Sequence, residues 1–287
     1  MRRALLATWI TAVVVTPAVA QEGATMEQDK EGVVAAARDY MEGALNADAE
    51  RMARGVHPEL TKVVVNTYPQ TGRQFLSYNT STLLVEWTRG AAEQMANVDK
   101  NVDVTVFDIG DNLAAARAIG QNWYDFLQLA KINGQWRIVN VLWARNRLQA
   151  EDQSGVQPEP TDRAEIEATA LNYIDGSFSG DAERMAKAVH PELTKMLLAN
   201  NRVTGKPFLH KMGASDLIEG TRAGLGTVPE NQRNIEVEIY DVSHGIAAVK
   251  VTSSRYIDHL QLGKVNGEWK IINVLWVPNP DAPRRGG

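Results

Sequence analysis

Residues 48–62 read DAERMARGVHPELTK, and residues 181–195 read DAERMAKAVHPELTK, with thirteen of fifteen positions identical at an offset of 133. The same offset returns further on. Asp125 to Trp143 (DFLQLAKINGQWRIVNVLW) superposes on Asp258 to Trp276 (DHLQLGKVNGEWKIINVLW), with thirteen matches in nineteen. The register does not slip between the two blocks, so the chain is one domain written twice.

The first twenty residues fall outside both copies. Arg2 and Arg3 precede an apolar run from Ala4 to Val15, and Pro17-Ala18-Val19-Ala20 ends in the small-x-small pattern of a signal-peptidase site. This predicts a signal peptide over 1–20, a mature chain from near Gln21, and a periplasmic or secreted protein. The apolar run is too short to span a bilayer, so no membrane contact is expected once the leader is removed. The chain has no cysteine, which excludes disulfides, thiol nucleophiles and thiolate metal sites. Losing Arg2 and Arg3 takes the formal charge from −5 to −7, an acidic balance that argues against nucleic acid as a partner.

Two sequences inform each element. Glu31 to Leu45 carries Val33, Val34, Ala37, Met41 and Leu45 at helical spacing, and Glu165 to Phe178 does the same with Ile166, Ala170, Tyr173 and Ile174. A short second helix follows Asp48 and Asp181 as N-caps and stops at His57-Pro58 and His190-Pro191. Lys62 to Asn66 reads as a short strand, and a third helix over Leu83 to Trp87 (Leu217 to Glu219 in the second copy) is expected behind Ser81 or Ser215. Val102, Val104 and Val106 alternate as a strand. Ala114 to Leu129 reads as one long strand, and Asn133-Gly134 (Asn266-Gly267) as a hairpin into Trp136 to Trp143. The order predicts an α+β fold: two tandem domains, each with about three helices on a curved antiparallel sheet. The boundaries are 31–146 and 164–279, with a polar linker over 147–163 and a tail over 280–287. The last strand is apolar on both faces, Trp136, Ile138 and Leu142 on one and Val139, Val141 and Trp143 on the other. Such a strand is covered on both faces. The second cover is expected to be the sister sheet, giving an intramolecular pseudo-dimer that is monomeric as a chain, with Trp143 and Trp276 buried at or near the junction.

A helix carrying Tyr40, then Asp-Ala-Glu-Arg-Met…His-Pro-Glu-Leu, then Asp-x-Leu-x-Leu-x-Lys-x-x-Gly-x-Trp…Asn-Val-Leu-Trp resembles the putative lumazine-binding family. That family lies in the nuclear transport factor 2-like superfamily, with ketosteroid isomerase and scytalone dehydratase. The resemblance covers both copies and implies a cone-shaped α+β barrel, with a pocket between helices and sheet and pairing through the sheet. A fold shared by isomerases, dehydratases, hydrolases and inert proteins does not choose a reaction.

Three polar positions recur in apolar settings. His57 and His190 suit either a helix cap or a pocket acid or base. Asp125 and Asp258, in phase with Leu127 and Leu129 or Leu260 and Leu262, suit either a buried structural carboxylate or an acid–base group orienting the histidine. Asn140 and Asn273, placed with Trp136 and Ile138, either donate into a pocket or tie strands together. Tyr40 and Tyr173 could present a hydroxyl to the same cavity, and Trp123 and Tyr256 could line it. In the site reading, each His/Asp pair converges on the cavity and the histidine pKa rises. No metal-ligand spacing, phosphate loop or nucleophile elbow is present, so neither metal nor cofactor is expected. The first expectation is an exported binder of a small apolar or aromatic ligand, with one pocket per repeat. Behind it stand an acid–base enzyme (isomerase, dehydratase or small hydrolase) using the His/Asp pair, and a protein-interaction scaffold.

Overall fold

The computed structural model describes residues 17–146 and 158–282. Most of the expected leader and linker, and the last residues of the tail, therefore lie outside the described residues. The first repeat runs α1 (Pro17–Leu45), α2 (Ala49–Gly55), β1 (Val56–Thr67), β2 (Gln74–Thr80), α3 (Ser81–Gly90), α4 (Ala92–Met95), β3 (Asp103–Ile109), β4 (Leu113–Ile119), β5 (Trp123–Ile132) and β6 (Gln135–Arg145). The second runs α5 (Asp162–Ser179), α6 (Ala182–Ala188), β7 (Val189–Asn200), β8 (Pro207–Gly213), α7 (Ala214–Arg222), β9 (Glu236–Ser243), β10 (Ile246–Thr252), β11 (Tyr256–Val265) and β12 (Glu268–Pro278).

Each repeat forms a six-stranded open sheet, in the orders β2-β1-β6-β5-β4-β3 and β8-β7-β12-β11-β10-β9. The sheets are mixed rather than wholly antiparallel. β1 runs parallel to β6, and β7 to β12, while the other pairs are antiparallel. The cone does not close into a barrel, because β2 and β3 (β8 and β9) remain edges.

Local chemistry explains the elements, including those that differ from expectation. Asp48 and Asp181 cap α2 and α6 by accepting from Arg51 N–H and Arg184 N–H, both at 2.9 Å. α2 then lies close against α1, because a Cβ on Gly43 would come within 2.8 Å of the Met52 nitrogen. α1 extends well ahead of the expected Glu31. Its Asp29 accepts from the Trp136 indole N–H at 2.9 Å, as Asp162 does from Trp269 at 2.8 Å, so the duplication reaches back to this turn. The cap of α3 is Thr80, which accepts from Leu83 N–H, and not Ser81. α7 starts from Gly213 without a side-chain cap, so Ser215 does not serve either. The expected single strand from Ala114 to Leu129 is β4 and β5, folded back at Gly120 to Asn122. Asn133-Gly134 and Asn266-Gly267 adopt the positive φ angles that a tight hairpin demands.

The two sheets pack face to face. Phe126, Leu142 and Val63 meet Ile246, Ala248 and Ile272, and Val139 and Ala130 meet Met196 and Leu275. Two amides cross the seam. Gln128 donates to the His259 carbonyl and Gln261 to the Phe126 carbonyl, each at 2.8 Å. Asp108 of the first repeat pairs with Lys250 (2.8 Å) and His259 (2.9 Å), and Arg117 pairs with Asp241 (2.5 Å).

A bulge in β6 decides which residues face the seam. Gln128 opposes Asn140 but Leu129 opposes Ile138, which leaves Val139 as the extra residue. The alternation therefore inverts past that point. Trp136, Ile138, Val141 and Trp143 all face the helices, and Val139, Asn140 and Leu142 face the sister sheet. This corrects two expectations. Trp143 and Trp276 are not at the junction, and Asn140 and Asn273 are not on the face of Trp136 and Ile138. Instead the Asn140 and Asn273 amides donate to Gln128 Oε1 and Gln261 Oε1 at 2.8 Å, fixing the glutamines that cross the seam.

Candidate functional site

Between the helices and the concave face of the first sheet lies a cavity of about 680 Å³. α1 supplies Tyr40, Met41 and Ala44, and α2 supplies Met52. α3 supplies Leu83, Leu84 and Trp87, and Trp123 and Trp143 come from neighbouring strands. Trp87 and Trp123 meet edge to face with centroids 6.1 Å apart. Asn122, Asn146 and Arg145 add a polar margin where β5 begins and β6 ends.

The floor holds the chemistry. Asp125 is fully buried on β5, in phase with Leu127 and Leu129. Tyr40 donates its hydroxyl to Asp125 Oδ2, and Lys62 Nζ donates both to the Tyr40 oxygen and, at 2.9 Å, to the same carboxylate oxygen. The ammonium lies over the Trp143 ring, 4.7 Å from its centroid. The second repeat rebuilds this cluster. Tyr173 donates to Asp258 at 2.7 Å, Lys195 donates to Tyr173 at 2.5 Å and to Asp258 at 3.2 Å, and Lys195 lies 4.7 Å from the Trp276 ring centroid. In both repeats one carboxylate oxygen, Asp125 Oδ1 or Asp258 Oδ2, finds no partner among the described residues. The buried indole N–H of Trp143 or Trp276 is likewise unpartnered there.

Burial holds the Tyr40 phenol well above its ordinary pKa, and the Asp125 charge beside it adds to the effect. Burial draws the Lys62 amine below its ordinary value, against the opposing pull of Asp125. The phenol is therefore a fixed donor, and the amine is a cation less firmly protonated than a surface lysine.

Tyr40 and Trp123 line the cavity, and Asp125 lies behind its floor. Tyr256 packs edge to face on Trp276 at 5.1 Å, as part of the second cluster. His57 and His190 are elsewhere, so the expected convergence of His57 with Asp125, and of His190 with Asp258, does not occur. β1 starts at Val56, one residue before the histidine, and its register slips between Val56 and Thr61. Val56 and Leu60 turn inward, while His57, Pro58 and Glu59 are lifted outward. The His57 ring accepts from Glu59 N–H at 3.2 Å, and His190 repeats this with Glu192 at 3.1 Å. The expected rise in pKa is reversed as well. Partial burial lowers both histidines; Glu59 and Glu192 oppose it, and the nearby Arg137 and Lys211, or Lys270, add to it.

Sequence reasoning passed over Lys62 and Lys195, which end the duplicated fifteen-residue block. The signal was present: Lys62 is in phase with Leu60 and Val64, the same criterion that marks Asp125. Beyond the floor the repeats diverge. Trp87, Asn122, Trp123 and Arg145 correspond to Gly220, Arg255, Tyr256 and Pro278.

An open sheet wrapped by helices over a buried tyrosine–lysine–aspartate cluster, present twice and paired through the sheets, defines a tandem nuclear transport factor 2-like protein. Both repeats, over residues 28–144 and 161–277, match the family described as Putative lumazine-binding, and the chain belongs to that family. Among solved structures, an NTF2-like protein of unknown function from Shewanella baltica OS155 is 18% identical, with 43% of this chain and 98% of that chain covered at a TM-score of 0.36. An NTF2-like protein of unknown function from Methylobacillus flagellatus KT is 21% identical, covering 43% and 97% at 0.34. A ketosteroid isomerase-like protein from Erwinia carotovora atroseptica SCRI1043 is 18% identical, covering 42% and 98% at 0.29. No curated protein matches the chain.

Proposed function

We propose that this is an exported small-molecule-binding protein, with a ligand site in each repeat between the helices and the sheet. The observation that carries this reading is the first-repeat cavity, large enough for a multi-ring ligand and walled by three indoles above a buried lysine. The ligand is apolar or aromatic over most of its surface, with a hydrogen-bond acceptor at one end. An acceptor placed at the floor would meet the Lys62 side chain, which lines the cavity. Export rests on the leader pattern of Arg2, Arg3, the apolar run and Ala18-Val19-Ala20. No helix among the described residues is long and apolar enough to cross a membrane.

The acid–base alternative loses its His/Asp pair, because His57 lies outside the cavity. Any proton transfer would have to use Tyr40 and Lys62. Native mass spectrometry of the protein purified from its own periplasm tests the binding reading. A retained small molecule whose release raises tryptophan fluorescence supports it. An unliganded protein recovered only from the cytoplasm, inert to aromatic probes, would refute it.

A further inference from the structure

We infer that Lys62 is a carbonyl-capturing residue, which takes an aldehyde or ketone ligand in the first-repeat cavity as a reversible iminium. This rests on the binding reading above and extends it to a class of ligand and a covalent step. Three observations carry it. Lys62 is a cavity-lining residue with only 6% of its surface exposed, so its amine meets solutes through the ligand cavity. The walls around it are indole and aliphatic, an environment that suits an amine nucleophile desolvated in an apolar pocket. Both companions that such a step needs are already bonded to it, the Tyr40 hydroxyl and the Asp125 carboxylate.

The lowered pKa of Lys62 agrees with this arrangement, since it makes the free amine more accessible than on a surface lysine. The repeats add an internal comparison. Of the mouth residues, Trp87, Asn122 and Arg145 have changed in the second copy while Asn146 has not (Asn279), whereas tyrosine, lysine, aspartate and tryptophan at the floor are all kept. A buried ion pair is a poor means of stabilising a core, because apolar residues of similar volume do as well or better. Its retention in both repeats agrees with a chemical role for the amine.

The step balances without any further reagent. The Lys62 nitrogen forms a bond to the carbonyl carbon, the carbon–oxygen double bond is broken, and the oxygen leaves as water. Two of the three protons of the ammonium end on that water. The third stays on the iminium nitrogen, whose positive charge remains beside Asp125. Tyr40, hydrogen-bonded to both Nζ and the carboxylate, lies on the path of the protons to the departing oxygen and back.

The test uses the full chain with 2-naphthaldehyde, trapped by sodium cyanoborohydride, and 2-naphthalenemethanol as a non-electrophilic mimic. Peptide mapping should find the reduced adduct on Lys62 at aldehyde concentrations that leave the exposed Lys206 unlabelled, and excess alcohol should suppress it. Lys62→Arg should abolish the label, and Tyr40→Phe should slow it several-fold while native circular dichroism is unchanged. Should Lys62→Arg fail to fold, the Tyr40→Phe rate and the protection by alcohol decide the matter on folded protein. Quenching of tryptophan fluorescence by the alcohol, with adducts confined to exposed lysines, overturns the covalent inference and leaves the binding reading intact. Failure of both probes to enter the cavity overturns both.

Discussion

Replacing Asp125 by leucine isolates the energetics of the floor. The carboxylate is fully buried and Lys62 nearly so, with 2.9 Å between their charged atoms. Removing one member of such a pair leaves an uncompensated buried charge, at a cost of about 3–5 kcal/mol. The Tyr40 hydroxyl also loses its acceptor, a further loss of about 1–3 kcal/mol if taken alone. The two are not additive, because the Lys62 amine can release its proton, and about 5 kcal/mol is a reasonable ceiling. That is a large part of the stability of a typical domain.

The proton supplies a signature. Without Asp125 the main opposition to the effect of burial on Lys62 is gone, so its folded-state pKa falls further below the unfolded value of 10.5. Between those two values the unfolded chain binds more protons, so stability rises with pH. The penalty is therefore full below the folded-state pKa and shrinks as pH climbs towards 10.5. Urea unfolding of Asp125→Leu, at about pH 7 and about pH 9.5, should show a deficit that narrows at the higher pH. The double variant Lys62→Met with Asp125→Leu should recover most of the loss at neutral pH. A pH-independent deficit below about 1 kcal/mol would refute this account of the pair.

Asp108 is held at about pKa 2, because the bonds from His259 and Lys250 outweigh the raising effect of burial. It therefore contributes to the seam above its unfolded value of 3.8, about 2 kcal/mol at most, and this is lost as pH falls from about 4 to about 2. Acid titration of Asp108→Asn should lack that step, and an unchanged acid limb would contradict the assignment. His57→Gln and His190→Gln should leave ligand affinity unaltered; a loss of about ten-fold or more in calorimetry would return the histidines to the site. Halves 21–146 and 158–282, expressed as separate chains, should co-purify through the apolar seam and the crossed glutamines. Two well-folded, independent monomers on a sizing column would show that the seam does not hold them.

The duplication made most of the fold legible. A fixed offset located the repeats, helical spacing gave α1 and α5, and the Asn-Gly pairs gave the hairpins. It did not give the faces of the last strand, because alternation holds only while the ladder is regular. Val139 breaks the period, and one extra residue sent Asn140 to the seam and Trp143 to the cavity. The same effect misled the reading of His57. Pro58 marks the end of α2 correctly, yet the irregular start of β1 points the imidazole outward. At the floor, Asp125 and Tyr40 were visible as polar groups at apolar positions. Lys62 obeys the same rule but was overlooked because its long stem makes lysine an ordinary surface residue.

The divergence of Trp87, Asn122 and Arg145 from their counterparts in the second repeat, around an unchanged polar cluster, bears on how such a protein can change. In a dimer of identical chains one codon writes both pockets, so a substitution that sharpens one specificity is imposed on the other. Here Trp87 and Gly220 are separate codons on a single message. Each repeat is open to selection by itself, while translation fixes their ratio at one to one. A bulky indole at one position and a glycine at its counterpart are an inequality that two copies of a single chain could not carry.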